Sequence, residues 1–120
     1  MDIIWNTTVV NPQQLINISR GDKNRMLKYL YQFQTLIPTR IEALKESLES
    51  GDRKLVRQLL HQMSPQLQFF GIEDVVQPIK RLEHEYETIP FDDLNSLVNN
   101  VLIKLHLAIK DVDSILKDNF

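Results

Sequence analysis

From Asn11 to the C-terminus the apolar residues of this chain recur at the three- and four-residue spacing of a helix, and no stretch requires a strand. That spacing is broken only at short joints, so the chain is predicted to be all-α. Asn11-Pro12 is a helix-start signal, and the short amphipathic piece carrying Leu15, Ile16 and Ile18 stops near Ser19-Arg20-Gly21. Asp22 then caps a long helix in which Met26, Leu30, Phe33, Ile37, Ile41, Leu44 and Leu48 keep one phase across Pro38, as one kinked helix would. Ser50-Gly51-Asp52 ends it and begins a third helix that runs to about Phe70, where Gly71 stops it. A fourth carries Val75, Ile79, Leu82 and Tyr86, with Pro78 read as an internal kink, and closes around Thr88-Ile89-Pro90. The last opens near Phe91-Asp92 and repeats Leu94, Leu97, Val98, Val101, Leu105, Ala108, Val112, Ile115 and Leu116 on one face. Short joints between long helices favour antiparallel neighbours. The expected architecture is an up-and-down antiparallel four-helix bundle over 22–119, a short additional N-terminal helix over 11–20, and an arm over 1–10, all one domain of residues 1–120. Trp5 has no assigned role, and the segment from Thr7 to Val10 is read as an arm that packs on the bundle.

Composition narrows the chemistry. The chain has no cysteine, which excludes disulfide scaffolds, thiolate metal sites and thiol nucleophiles. A net charge of −2 gives no basic field for nucleic acid or anionic lipid, and neither partner is expected. The start of the chain lacks a cationic segment followed by a long apolar run, and no stretch approaches the roughly 18 apolar residues of a membrane span, so a cytoplasmic location is the default. Three scattered glycines form no phosphate-binding loop of the G-x-x-x-x-G-K type. Inward Glu-x-x-His pairs, the mark of a metal site in a bundle core, are absent from the sequence, and no metal is expected.

The third helix carries the informative residue. With His61 as the zero of angle and about 100° per residue, Val56, Leu59, Leu60, Met63, Leu67 and Phe70 fall between about 160° and 260°, the predicted buried stripe. His61 lies opposite. Lys54, Arg57, Ser64, Pro65 and Gln68 fall within about 60° of it, giving an outward strip of small, polar and cationic side chains. An imidazole held in water is mostly neutral at pH 7, and the neutral ring keeps one nitrogen free to attack an electrophile.

The segment His61-Gln62-Met63-Ser64-Pro65-Gln66-Leu67-Gln68-Phe69-Phe70-Gly71-Ile72, followed by Leu82-Glu83, resembles the histidine-containing phosphotransfer (HPt) domain of multistep two-component signalling. That pattern places an apolar residue two after the histidine, a glycine and an apolar residue ten and eleven after it, and a Leu-Glu pair near the end of the next helix. Met63, Gly71, Ile72, Leu82 and Glu83 match it, and Phe33 through Gly51-Asp52 looks like the family's second helix and turn. Two positions depart: the family usually has a lysine three after the histidine and a small residue four after it, where this chain has Ser64 and Pro65.

The resemblance implies that His61 accepts a phosphoryl group from the phosphoaspartate of a response-regulator receiver domain and passes it to another. A hybrid sensor histidine kinase stands upstream, the magnesium ion belongs to the receiver, and this chain needs no cofactor and is no autonomous kinase. Met63, Gly71 and Glu83 are implied as structural motif residues. Arg57, one turn before His61, is the expected substitute for the missing lysine, with Lys54, Ser64, Pro65 and Gln68 as further phosphate or receiver contacts. The competing reading is a binding-only module of the same fold that docks receivers or kinases without phosphotransfer. His84, among Glu83, Glu85 and Glu87, and His106 are read as solvated or boundary residues. Ile103 and Leu107 point away from the core face of the last helix; the expectation is that Leu15 and Ile18 cover them in a monomer, the alternative a dimer through them.

Overall fold

The computed structural model describes residues 6–120, and every regular element among them is helical. Trp5, left unassigned above, lies outside the described residues. Helix α1 spans Pro12–Ser19, α2 Lys23–Glu49, α3 Arg53–Phe69, α4 Val76–Glu85 and α5 Phe91–Asn119, with a single 3-10 turn over Glu73–Val75 leading into α4. At about 1.5 Å per residue, α5 alone is about 43 Å long, close to the 46 Å long axis of the molecule.

Each helix start is capped where an acceptor side chain precedes it. Asn11 accepts from the Gln13 and Gln14 amides, Asp22 from Asn24 and Arg25, and Asp52 from Leu55. The ends of α2 and α3 share one device. After α2 the Gly51 amide donates to Leu48 and the Asp52 amide to Ser47; after α3 the Gly71 amide donates to Gln68 and the Ile72 amide to Leu67. These are paired closures around a left-handed glycine, and Leu67 and Ile72 are both buried at the second.

Long helices α2, α3 and α5 enclose the core, with α2 packed on both α3 and α5 and α4 packed on α3. The predicted stripe of α2 is buried from Met26 to Leu48, and α3 buries Val56, Leu60, Met63 and Leu67, with Leu59 half-buried at the stripe's edge. Phe33 of α2 meets Phe70 at the end of α3, ring centroids 4.4 Å apart and tilted by 46°. Both α2 and α3 continue as helices through Pro38 and Pro65. Pro78 is different. It is the third residue of α4, in the first turn where no intrahelical partner for its nitrogen exists, so the expected kink there is not needed.

The arm is tied down by a group that sequence reasoning passed over. Asp111 of α5 is buried, and its two carboxylate oxygens accept from the Thr8, Val9 and Val10 amides at 2.8, 2.7 and 2.9 Å and from the Thr8 hydroxyl at 3.1 Å. Val10 is thereby drawn into the core. Helix α1 packs against α2 and α3, burying Leu15 and half-burying Ile18. The expected cover of Ile103 by these residues is therefore corrected, since Ile103 stays 58% exposed, whereas Leu107 is half-buried. Among the described residues no helix is long and apolar enough to cross a membrane.

Candidate functional site

Helices α3 and α4 are joined through the turn at Gly71 and lie side by side, leaving a groove of about 330 Å³ between their outer faces. From α3 come His61, Ser64, Pro65, Gln68 and Phe69. Opposite them stand Val76, Ile79, Lys80 and Glu83 of α4. Burial of the Leu60, Met63 and Leu67 face of α3 turns His61 outward, and its side chain is 65% exposed. Ile79 and Leu82 are buried against α3, which turns Lys80 and Glu83 toward the groove.

The imidazole is held from one side only. His61 Nδ1 lies 2.7 Å from Glu83 Oε1. A carboxylate has no proton to give, so in the neutral ring Nδ1 carries the hydrogen and donates it to Glu83, which leaves the lone pair on Nε2. Glu83, expected as a motif residue, is thus a direct partner of His61. Its own side chain is half-buried, which favours a fixed carboxylate over a freely rotating one.

The other expected site residues divide. Ser64, Pro65 and Gln68 line the groove, and Gln68 Nε2 donates to Ser64 Oγ at 3.4 Å. Met63 is in the core, behind the histidine. Gly71 holds a left-handed φ of +66°, and a Cβ there would sit 2.4 Å from Asn11 Cβ. The backbone at this turn also receives the Asn11 amide, at Phe70 O, so the glycine lets α1 close on the end of α3. Arg57 is turned elsewhere: its guanidinium carbon stands 5.1 Å from the centroid of the Tyr86 ring, and it does not line the groove. Its Nε is buried without a hydrogen-bond partner. Lys54 is exposed and likewise outside the groove. Nearby, the Tyr86 hydroxyl is held above its ordinary pKa, chiefly by its hydrogen bond to Glu87 and that residue's charge, with Arg57 acting the other way. Arg53 donates to the main-chain carbonyls of Tyr86 and Ile89, pinning the start of α3 to the turn after α4.

Four groove residues, Phe69, Val76, Ile79 and Lys80, were absent from the expected set. Phe69, 46% exposed, is an apolar wall beside the histidine strip, and Lys80 supplies a cation from the facing helix. Lys80 lies three residues before Glu83, so the two share a face of α4; that spacing is the one signal in the chain that points to it. A smaller groove of about 230 Å³ continues past Gln68 and Val76 to Gly71, Asn11 and Gln14.

A wider groove of about 510 Å³ lies between α4 and α5, but its cation, Arg81, is engaged by Glu85 at 2.9 Å and Asp93 at 3.9 Å, and no histidine faces it. His84 and His106 are exposed and away from the His61 groove. Among the described residues no group of three or more metal-ligating side chains converges. Comparison with protein-family models, with curated proteins and with solved structures gave no match to this chain.

Proposed function

We propose that this chain is a histidine phosphotransfer protein: a four-helix bundle, with α1 as an additional helix, that takes a phosphoryl group onto His61 from the phosphoaspartate of a receiver domain and passes it to another. The observation that carries this reading is the 2.7 Å contact between His61 Nδ1 and Glu83 on a ring that is otherwise open to solvent. In this reading Nε2 attacks the phosphorus of the aspartyl phosphate in line. The Nε2–P bond forms, the P–O bond to the aspartate breaks, and its electron pair leaves with the carboxylate. No proton moves in the transfer itself, but the ring becomes an imidazolium whose Nδ1–H still points at Glu83. The carboxylate accepts from the ring in both states, but only the phosphorylated imidazolium adds a direct attraction between opposite charges, so Glu83 stabilises the phosphorylated ring more than the free one. That difference is what accelerates the step.

Phosphoryl transfer has a loose transition state, and a carrier has little to do beyond aligning the nucleophile and neutralising charge. A rigid ring on a helix face, flanked by Ser64 and Pro65 on its own helix, supports close approach by a partner. The magnesium ion and most of the catalytic charge belong to the receiver. Response-regulator receivers and a hybrid sensor kinase are the partners in this reading, the chain acts as a monomer, and the cytoplasm, where receivers work, is its place.

The test is to incubate the protein with a phosphorylated receiver domain and follow an acid-labile, alkali-stable phosphate onto it. Label on the wild type and none on His61→Gln supports the relay. Equal label on both removes His61 as acceptor. Stable binding of the receiver without any transfer selects instead the docking-only reading, which the Ser64 and Pro65 replacements favour.

A further inference from the structure

Of the charged side chains that line the groove, one has no task in the fold. Lys80 stands on the groove wall facing the histidine strip, is exposed, and makes no hydrogen bond or ion pair among the described residues. Lys54, exposed on the strip of α3 two turns before His61, makes no such contact either but stands outside the groove, and the remaining cations near the groove are occupied. Arg57 covers Tyr86, Arg53 caps the carbonyls after α4, Arg81 holds Glu85, and Lys104 holds Asp74 at 3.1 Å. The one anion lining the groove, Glu83, is engaged by His61. A groove holding an outward nucleophile, an unengaged ammonium on the opposite wall, and the neutral donors Ser64 and Gln68 has the composition of a site for a tetrahedral oxyanion bearing two negative charges.

We infer that Lys80 is the phosphoryl-binding cation of this protein, meeting from α4 the equatorial oxygens of the group transferred to Nε2 of His61. The inference rests on the phosphotransfer reading above and adds the residue that neutralises the charge. Glu83 does not oppose it, because its carboxylate is directed at Nδ1 and the phosphoryl group is carried on the other nitrogen of the ring. Ser64 and Gln68 donate hydrogen bonds from the α3 wall, so the transferred oxygens are met from both helices. Arg57, the cation nearest in sequence, stays on Tyr86 throughout.

Phosphoramidate provides a test that needs no protein partner. Its zwitterion donates PO3 directly to a histidine: the Nε2–P bond forms, the P–N bond breaks, and the nitrogen departs with its pair as ammonia. Uptake on His61 is followed by phosphorus NMR in wild type, Lys80→Ala, Lys80→Arg and the double variant Lys80→Ala with Ser64→Lys. The exposed setting places the effect between the few-fold of a surface ion pair and the hundredfold of a buried oxyanion donor. Lys80→Ala is expected to slow uptake about tenfold at low salt with unchanged circular dichroism, and the deficit shrinks as salt screens the wild type. Lys80→Arg keeps most of the rate. A cation returned from α3 in the double variant restores at least half of what Lys80→Ala loses, which a merely structural role for Lys80 cannot produce. Wild-type uptake on His61 with a Lys80→Ala rate within twofold of it overturns the inference and leaves the phosphotransfer reading standing. Uptake that is the same in His61→Gln as in wild type overturns both.

Discussion

Replacing Asp111 with alanine is expected to be among the most damaging single changes outside the apolar core. Asp111 is 3% exposed, and its carboxylate takes the Thr8, Val9 and Val10 amides and the Thr8 hydroxyl, joining the first described residues of the chain to α5. Hydrogen bonds to a charged group contribute about 1.5–3 kcal/mol each when both sides are desolvated. Here only the Val10 amide is buried; Thr8 is exposed and Val9 half-buried, so water replaces part of what those two lose. The buried amide then accounts for about 1–3 kcal/mol and the outer ones for less than about 1 kcal/mol each, a total near 2–4 kcal/mol. For a chain of this length an unfolding entropy of about 2 cal/mol/K per residue makes each kcal/mol worth about 4 °C. The expected fall in Tm is about 8–16 °C, read by circular dichroism at 222 nm, with the Val9 and Val10 amides losing their protection from hydrogen exchange. Thr8→Ala, which removes only the hydroxyl contact, is the matched control and shifts Tm by less than about 4 °C. A fall below about 2 °C in Asp111→Ala, with both amides still protected, would refute the reasoning, because the arm would then be held by apolar burial alone.

Gly71→Ala combines a left-handed backbone with a Cβ 2.4 Å from Asn11 Cβ, so a loss of at least about 2 kcal/mol in urea unfolding is expected, whereas Gly51→Ala, at the equivalent turn with open space around it, loses only about 1 kcal/mol. Glu83→Gln keeps an acceptor for Nδ1 but not the charge; phosphoryl uptake by His61 should slow about tenfold with little change in Tm, and an unchanged rate contradicts the role given to that carboxylate. Because Glu87 holds the Tyr86 hydroxyl protonated beyond its usual range, ultraviolet titration should show one tyrosine ionising late. Its contribution to stability is complete below the unfolded-state pKa of about 10 and is lost as pH rises through the higher folded value; Glu87→Gln is expected to bring the late titration back toward the others.

The helical phase of α3 is legible in the sequence because it needs only a period: six apolar residues within about 100° leave His61 facing out whatever α3 packs against. Caps at Asn11, Asp22 and Asp52, and the glycine stops at Gly51 and Gly71, are local chemistry and are equally plain. What depends on a second helix is not. Whether Lys80 or Arg57 meets the histidine strip is decided by the rotation of α4 on α3, set by Ile79 and Leu82, and by the Tyr86 ring, which captures the Arg57 guanidinium. Pro78 looks the same in sequence whether it interrupts a helix or starts one, and the 3-10 turn before it settles the matter. Asp111 left a trace that can be read afterwards. An acid between Ala108, Val112 and Ile115, inside the apolar stripe of α5, needs a buried partner, but the sequence does not say that three consecutive arm amides provide it.

The claim at the centre of this account is a tautomer: His61 with its proton on Nδ1 toward Glu83 and a free Nε2 toward solvent. Long-range proton–nitrogen NMR of protein labelled at histidine nitrogen reads it directly, before and after treatment with phosphoramidate. The account predicts a protonated Nδ1 and bare Nε2 on His61 in the free protein, then phosphorus coupling to Nε2 of that residue. Phosphate on Nδ1 of His61, or on His84 or His106 while His61 stays unmodified, contradicts it.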